Sequence, residues 1–204
     1  MYHRKVEATQ PAAAASRLLR REERRESILA AAASAFAEAG FDGTSMEELA
    51  EAAGVTKLIL YRHFDSKEEL YRAILERVAT RLATEVAAAS VQGRNRGVIV
   101  PSFLRVARED PDGFRLLWRQ AAREPKFASY SEGVRRGASD FAHQLLQSSI
   151  QTESLLDWAA PTIVAFLVEA VLQWLEFGRR DMDDRFIALT STSLVALVQT
   201  WATS

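Results

Sequence analysis

The segment KLILYRHF, residues 57–64, brings hydrogen-bond donors and apolar side chains together within two helical turns. At about 100° per residue, Leu60 and Phe64 share one face, and the opposite face carries Leu58, Ile59 and Arg62. In the major groove of DNA, apolar side chains meet thymine methyl groups, Lys reaches guanine O6 and N7, and Arg and Tyr hold phosphates. The segment therefore predicts a helix that reads DNA. The alternative is that Leu58 and Ile59 pack on another helix of the same chain.

Two short helices joined by a tight turn are expected to position these side chains, over residues 45–64. Ser45 followed by Glu48 is a capping box, in which the two side chains satisfy free backbone amides at a helix start. Gly54 lies where the chain must bend, because a residue without Cβ adopts positive φ at little cost. Thr56 then begins the second helix. Two helices with a short turn that contains Gly form the DNA-binding helix-turn-helix.

The order of residues around this motif resembles one bacterial family. The pattern G-F-D-G-T-S-x(3)-L-A-x-A-A-G-V-T-K-x(2)-L-Y-R-H-F-x-S-K-E-E-L, from Gly40 to Leu70, is similar to that of the tetracycline-repressor-like (TetR) transcriptional regulators. The resemblance covers roughly the first third of the chain. Leu58 and Ile59 depart from it, since the family often has a small residue followed by a polar one there. This departure concerns the base preference and leaves the expectation of DNA binding unchanged.

The candidate DNA-binding residues follow from the motif together with the resemblance. Lys67 belongs to them because a cation in the first turn of a helix is unfavourable unless an anion such as a phosphate lies nearby. The resemblance also implies that Lys67 contacts the DNA backbone. The complete candidate set is Thr44, Ser45, Met46, Thr56, Lys57, Leu58, Ile59, Tyr61, Arg62, His63 and Lys67.

The composition favours a helical protein without a metal site or a disulfide framework. The chain has 204 residues, nine Gly, five Pro, no Cys and three His, and its formal net charge is −1. Without Cys, neither a disulfide nor a Cys-ligated zinc is possible, and the three His share no ligand spacing. The predicted fold is all-α, with about nine helices. An N-terminal three-helix DNA-binding domain precedes a C-terminal helical domain for ligand binding and dimerisation.

The N-terminal end is locally basic although the whole chain is faintly acidic. Residues 1–25 carry seven Arg or Lys and three Glu, a local charge of +4. Such an arm could hold phosphates, or it could be a solvated tail with incidental charge. Residues 1–16 contain Pro11 and no regular apolar period, so they are predicted to form a flexible tail. No apolar signal-peptide core is found there.

Apolar periodicity divides the rest of the chain into two predicted domains, residues 17–71 and 72–204. A first helix from about Arg17 to Ala39 should pack behind the helix-turn-helix, where the small core consists of Phe36, Leu49, Leu60 and Phe64. A fourth helix begins at Ser66, with a second capping box formed by Ser66 and Glu69. It continues for about 25 residues to Val91, and residues 92–97 form a loop.

Five further helices are predicted in the second domain. The first ends at Asp110, the second begins at Pro111 over PDGFRLLWRQAAR, and the third runs from Pro125 to about Ser149. The last two are about Leu155–Gly178, apolar at almost every angle between Thr162 and Phe177, and Asp183–Thr200, with one wide apolar face. A helix that is apolar all round must be covered on all sides. A homodimer with a four-helix bundle is therefore expected, as the resemblance also implies, unless the two helices complete the core of one chain.

The resemblance further implies a cavity for a small effector among helices four to eight. Aromatic groups with a few polar ones suit a hydrophobic or amphipathic molecule. The candidates are Phe103, Trp118, Tyr130, Phe141, His143, Phe166, Glu169 and Trp174. Each has a simpler interpretation, since aromatic residues at helical spacing also form ordinary core. Glu169 is the most specific candidate, because burying a carboxylate in an apolar helix is costly unless it is paired or titrated. Its alternative role is an ion pair with Arg across the dimer interface.

These observations predict a cytoplasmic transcriptional regulator, associated with the nucleoid when bound to its operator. The expected activity is repression at a palindromic operator as a dimer, with release by an effector that tilts helix four. Alternatives are control by a protein partner or by no effector, and activation in place of repression. No cofactor, catalytic residue or metal site is predicted, because no nucleophile elbow, phosphate loop or H-E-x-x-H pattern occurs. No run of about 18 apolar residues is free of charge, so no membrane span is expected.

Overall fold

The computed structural model describes residues 10–91 and 97–203, with side chains described from residue 19 onward and omitted for residues 89–91. Over these ranges the chain forms nine α-helices and no β-strand, which confirms the predicted all-α fold. The helices are α1 (Gln10–Ala39), α2 (Met46–Ala52), α3 (Lys57–Tyr61), α4 (Lys67–Val91), α5 (Ile99–Glu109), α6 (Pro111–Arg115), α7 (Ala128–Leu146), α8 (Glu153–Phe177) and α9 (Asp183–Ala202).

The N-terminal boundary differs from the prediction. Helix α1 begins at Gln10 and not near Arg17, so part of the predicted flexible tail is helical. Pro11 lies in the first turn, where a missing N–H removes no helical hydrogen bond, and four alanines with high helix propensity follow it. Residues 1–9 of the predicted tail and residues 92–96 of the predicted loop lie outside the described ranges.

Two boundaries in the second half of the chain also differ from the prediction. Helix α6 is followed by a π-helical turn, Leu116–Gln120, and a 3₁₀ turn, Ala121–Arg123, where a single helix was expected. Helix α7 begins at Ala128 and not at Pro125, because the Glu124 carbonyl accepts hydrogen bonds from both Phe127 N–H and Ala128 N–H, which closes a turn before the helix.

The chain divides into two compact units, the first ending at Tyr71 and the second beginning at Arg72. In the first unit the four predicted core residues, Phe36, Leu49, Leu60 and Phe64, are fully buried. An aromatic cluster adjoins them. The ring centroids of Phe36 and Phe41 lie 5.0 Å and 5.3 Å from that of Tyr71, in edge-to-face geometry. The buried faces of α2 and α3 pack on this core.

In the second unit α8 packs against α5, α7 and α9. One core cluster consists of the buried residues Ala142, Leu146, Ile150, Leu156, Ala159 and Ala160. A second core region is aromatic, with the ring centroids of Phe103 and Phe114 6.5 Å apart and that of Trp118 within 6.4 Å of both. Both regions border the space described below.

Candidate nucleic-acid interface and ligand cavity

The turn between α2 and α3 forms as its sequence predicts. Ser45 N–H donates to Glu48 Oε2 at 2.7 Å, and Glu48 N–H donates to Ser45 Oγ at 3.2 Å, which completes the capping box. The hydrogen bond from the Ser45 backbone is the main reason why the pKa of Glu48 is lowered. Gly54 has φ +63°, and Thr56 Oγ1 accepts from Ile59 N–H at 3.3 Å to cap α3. Both helices are therefore fixed by local contacts.

Helix α3 separates a buried face from an exposed one. Leu60 and Phe64 are buried, whereas Leu58 is 63 % exposed and Tyr61 and Arg62 are also exposed. Ile59 is half-buried. Most of the Leu58 side chain therefore packs on no other helix of the first unit, whereas Ile59 is partly covered. An exposed Leu beside donors is the arrangement expected of a helix that enters the major groove.

The Lys57 ammonium is held by a partner that the sequence analysis missed. It forms an ion pair with Glu47 Oε1 on α2 and lies over the Tyr61 ring, 5.9 Å from its centroid. The hydrogen bond between the two side chains raises the pKa of Lys57 and lowers that of Glu47. The Lys57 ammonium is therefore already paired within the first unit.

Lys67 is also engaged within the first unit. Its Nζ donates to the carbonyl oxygens of Phe41 at 2.7 Å and Thr44 at 2.8 Å, and lies 4.4 Å from the Phe41 ring centroid. These groups offset the unfavourable position of the cation at the start of α4, so a phosphate is not required for that purpose. Lys67 instead fixes the segment between α1 and α2.

The second capping box forms only in part. Ser66 Oγ accepts from Glu69 N–H at 3.1 Å, as predicted. The Glu69 carboxylate, however, accepts from the backbone N–H of Asp65 and not of Ser66.

Burial narrows the predicted DNA-binding set. The side chains of Thr44 and Met46 are buried, and Thr44 Oγ1 donates to the Gly40 carbonyl at 2.7 Å, so they are positioned to support the surface from inside. Ser45 and Thr56 are exposed, but their hydroxyl groups cap helices. The exposed or half-buried side chains of the set are those of Ser45, Thr56, Lys57, Leu58, Ile59, Tyr61, Arg62, His63 and Lys67.

The described part of the basic N-terminal segment lies close to His63. Burial is the main cause of the lowered pKa of His63, and the positive charges of Arg21, Arg24 and Arg25 add to it. Arg25 lies over the Phe64 ring, 5.1 Å from its centroid. Helix α1 thus contributes positive charge at the C-terminal end of α3, which suits an anionic ligand.

The second unit contains a partly open cavity of about 720 Å³. Helices α4, α5, α7, α8 and α9 and the π-helical turn all line it. Its walls include Leu82, Val86, Phe103, Trp118, Phe141, Leu145, Leu167 and Val198. Among the described lining residues none is charged, and Ser149 and Gln199 are the polar ones apart from Trp118, whose indole N–H is buried. A space of this size and chemistry suits a small apolar molecule.

Three of the eight predicted effector-binding residues, Phe103, Trp118 and Phe141, line this cavity. The other five, Tyr130, His143, Phe166, Glu169 and Trp174, are not among the residues that line it. The cavity wall is instead made largely of aliphatic and small side chains. The small residues Gly137 and Ala138 of α7 were the available signal, because they leave volume where larger side chains would fill it.

Four of these five residues have other partners in the second unit. Glu169 is exposed, accepts from Gln173, and lies 2.8 Å from Arg119 Nη2 of the same chain. The Gln173 hydrogen bond is the first cause of its lowered pKa. Trp174 stacks on Phe186 and donates from Nε1 to Asp183 at 2.7 Å. His143 Nε2 lies 3.4 Å from Asp157 Oδ1, and the Tyr130 ring lies beside the Arg72 guanidinium. Phe166 is exposed.

Comparison with known proteins shows which family the chain resembles. Residues 28–74 match the family described as "Bacterial regulatory proteins, tetR family". The HTH-type transcriptional activator FasR of Mycolicibacterium smegmatis is 32 % identical over 153 residues, which are 72 % of this chain and 70 % of that protein.

Solved structures show the same fold. A TetR-like transcriptional regulator from Rhodococcus sp. RHA1 superimposes with a TM-score of 0.71 at 24 % identity, over 84 % of this chain and 93 % of that one. A SmeT–triclosan complex gives a TM-score of 0.66 at 22 % identity, over 86 % and 91 % of the two chains.

Proposed function

The chain belongs to the TetR family of bacterial regulatory proteins and is a DNA-binding transcriptional regulator, and we propose that it represses transcription as a homodimer at a palindromic operator. The observation that carries this proposal is the exposed face of α3, where Leu58 lies beside Lys57, Tyr61 and Arg62. Paired helix-turn-helix units read half-sites about 34 Å apart, or multiples of it. The operator lies on the chromosome, so the regulator acts in the cytoplasm.

Each group on this face has a proposed role in operator binding. Leu58 and Ile59 contact thymine methyl groups, and Lys57 reads a base edge after leaving Glu47. Tyr61, Arg62 and His63 hold phosphates, assisted by the arginines of α1. Lys67, Thr44 and Met46 position this surface through contacts within the first unit.

The dimer is proposed to form through α8 and α9. Large apolar side chains remain exposed on both helices, with Trp158, Phe166 and Phe177 on α8 and Leu189 and Val195 on α9. By length and composition alone, α8 could also cross a membrane. Part of it is buried in its own unit, however, and its Glu169 pairs with Arg119. Burial against a second copy covers the same apolar surface and pairs two DNA-binding units.

Control by a small molecule is supported by the cavity. Helix α4 supplies Lys67, Leu70 and Tyr71 to the first unit and lines the cavity in the second with Leu82 and Val86. A molecule that binds one position of α4 better than another shifts the population of dimers with correctly spaced recognition helices. One relative is named an activator, so a reporter assay has to distinguish repression from activation.

Selection of bound sequences from a random duplex pool tests the proposed function. A palindromic consensus is expected for the wild-type protein. Tyr61→Phe, which removes a phosphate contact, should weaken binding to all sequences alike, whereas Lys57→Ala should relax the preference at one position. No enrichment by a folded, dimeric protein would contradict operator binding through α3. A reporter under the selected operator then distinguishes repression from activation, and unchanged operator affinity across an effector screen would favour control by a protein partner.

A further inference from the structure

Trp118 lines the cavity, and its indole carries a buried hydrogen-bond donor without an acceptor. Its side chain is only 3 % exposed, and its Nε1–H is enclosed without an acceptor among the described residues. Buried indole N–H groups usually have a partner, and an unsatisfied one lowers the stability of the folded state. Trp174 offers the contrast, because its indole donates to Asp183. An unsatisfied donor beside a cavity indicates that the acceptor comes from a ligand.

The backbone that carries Trp118 is irregular. Ala121 N–H donates to the carbonyl of Leu116, five residues earlier, which defines a π-helical turn. Such turns are rare and frequently occur at functional sites. Arg135 holds the turn from α7, since its guanidinium carbon lies 5.3 Å from the indole centroid and its Nη2 donates to the Trp118 carbonyl. The indole is thus supported on one side and adjoins the cavity as well.

The cavity lining restricts the charge of what it can bind. A carboxylate or an amine in this space would lose its hydration, and no described lining residue carries a compensating charge. Burying an unpaired ion is far more costly than burying a neutral carbonyl that keeps one hydrogen bond. The lining therefore selects against ionised molecules.

We propose that the cavity takes uncharged, largely apolar molecules with one hydrogen-bond acceptor, and that Trp118 is the specificity-determining residue that donates Nε1–H to this acceptor. The inference rests on the proposed effector control and names the class of effector. Because the indole N–H is buried, the indole must move for a ligand to reach it. The π-helical turn that carries Trp118 changes conformation to allow this movement.

Three probes with the same two phenyl rings test this inference by equilibrium dialysis. Benzophenone carries a carbonyl acceptor, diphenylmethane has none, and diphenylacetate is an anion. Benzophenone should bind about three- to tenfold more tightly than diphenylmethane, the effect of one hydrogen bond. Diphenylacetate should bind more weakly than either. In Trp118→Phe the preference for benzophenone should disappear. The loss of ring volume weakens both neutral probes alike, so it cancels in the ratio of their dissociation constants.

Two pairs of variants supply the controls. Trp174→Phe makes the same change at an indole outside the lining and should keep the benzophenone preference. Gly137→Phe and Gly133→Phe both add a ring to α7 where a Cβ meets no atom within 4 Å, but only Gly137 lines the cavity. Binding of both neutral probes should therefore be lost in Gly137→Phe alone.

Several outcomes would overturn the inference. These are an unchanged preference in Trp118→Phe, tightest binding of diphenylacetate, or no binding of any probe. The proposed effector control is judged separately, by operator affinity with and without bound probe. Normal probe discrimination without any change in operator affinity would contradict effector control and leave the assignment of Trp118 intact.

Discussion

Arg77 and Asp110 form a buried ion pair that joins α4 to the start of α6. Arg77 Nη2 lies 2.6 Å from Asp110 Oδ2, and the two side chains are only 8 % and 7 % exposed. Asp110 Oδ1 also accepts from Gly113 N–H at 3.1 Å and so caps α6. A Cβ on Gly113 would lie 2.5 Å from Asp110 Oδ2, so the cap requires glycine there. One carboxylate thus connects the helix common to both units with the segment that leads to Trp118.

Replacing Arg77 by Met should lower the free energy of unfolding by about 3–5 kcal/mol, because the Asp110 carboxylate would stay buried without its partner. Adding Asp110→Asn should recover most of this loss, since the amide oxygen can still cap Gly113 without a charge. Urea unfolding followed by circular dichroism measures both effects. Arg81→Met is the control, because the Arg81–Glu109 pair is exposed and should contribute at most about 1 kcal/mol. Equal losses for Arg77→Met and Arg81→Met would contradict the prediction.

The same double variant, Arg77→Met with Asp110→Asn, tests whether the ion pair transmits ligand binding. If α6 acts on α4 through Asp110, the variant should still bind benzophenone while its operator affinity responds less than that of the wild type. Fluorescence anisotropy of an operator duplex, titrated with and without benzophenone, gives the coupling. A full response in the folded double variant would exclude this connection.

Glu47 is expected to restrain DNA binding by Lys57. Glu47→Gln removes both the ion pair and a negative charge from the proposed interface, so operator affinity at fixed salt should rise a few-fold. The control is Glu51→Gln, which makes the same change on an exposed residue in the last turn of α2. Anisotropy titrations at several salt concentrations measure both variants. A loss of affinity in Glu47→Gln would mean that the pair holds Lys57 in its binding position.

Operator affinity should depend on the protonation of His63. Burial and the arginines of α1 lower the pKa of His63 below 6.5, so the imidazole is neutral in the free protein at neutral pH. A phosphate contact favours the imidazolium and raises that pKa, so binding takes up a proton. Affinity should then increase as the pH falls from 8 toward 6, by at most about tenfold per pH unit.

His63→Gln should flatten this pH dependence, whereas His143→Gln in the second unit should leave it unchanged. A slope that persists in His63→Gln would assign the proton to another group. The lowered pKa also affects stability in a defined direction. Because folding opposes protonation of His63, the neutral imidazole contributes fully to the free energy of unfolding above the ordinary histidine pKa. This contribution is lost as the pH falls through the lowered pKa of the folded state.

The proposed dimer interface should be sensitive to charge at α9. Leu189→Glu puts a carboxylate in the apolar surface and should convert the dimer to monomer at micromolar concentration. Leu19→Glu on α1 is a matched control, because the two leucines are 60 % and 64 % exposed. Sedimentation equilibrium measures the association. A dimer that persists in Leu189→Glu would move the interface to another surface.

The sequence by itself determined the helix-turn-helix, because every contact that defines it is local. The Ser45–Glu48 capping box spans three residues, Gly54 supplies positive φ at one position, and the four-residue spacing of Leu60 and Phe64 fixes the buried face. Helical periodicity therefore also gave the exposed position of Leu58. The helix ends were less certain, because turns such as that at Glu124 depend on single hydrogen bonds that periodicity does not encode.

Tertiary structure decided the contacts between residues distant in sequence. Lys57 and Glu47 are ten residues apart, Lys67 meets carbonyl groups 23 and 26 residues away, and Arg77 pairs with a carboxylate 33 residues away. The cavity is the clearest case. Its shape depends on where side chains are small as well as where they are large, and the cavity forms only when five helices and one turn come together. For this reason the prediction from aromatic residues on apolar helices identified only three of the lining residues, and Glu169 does not line the cavity.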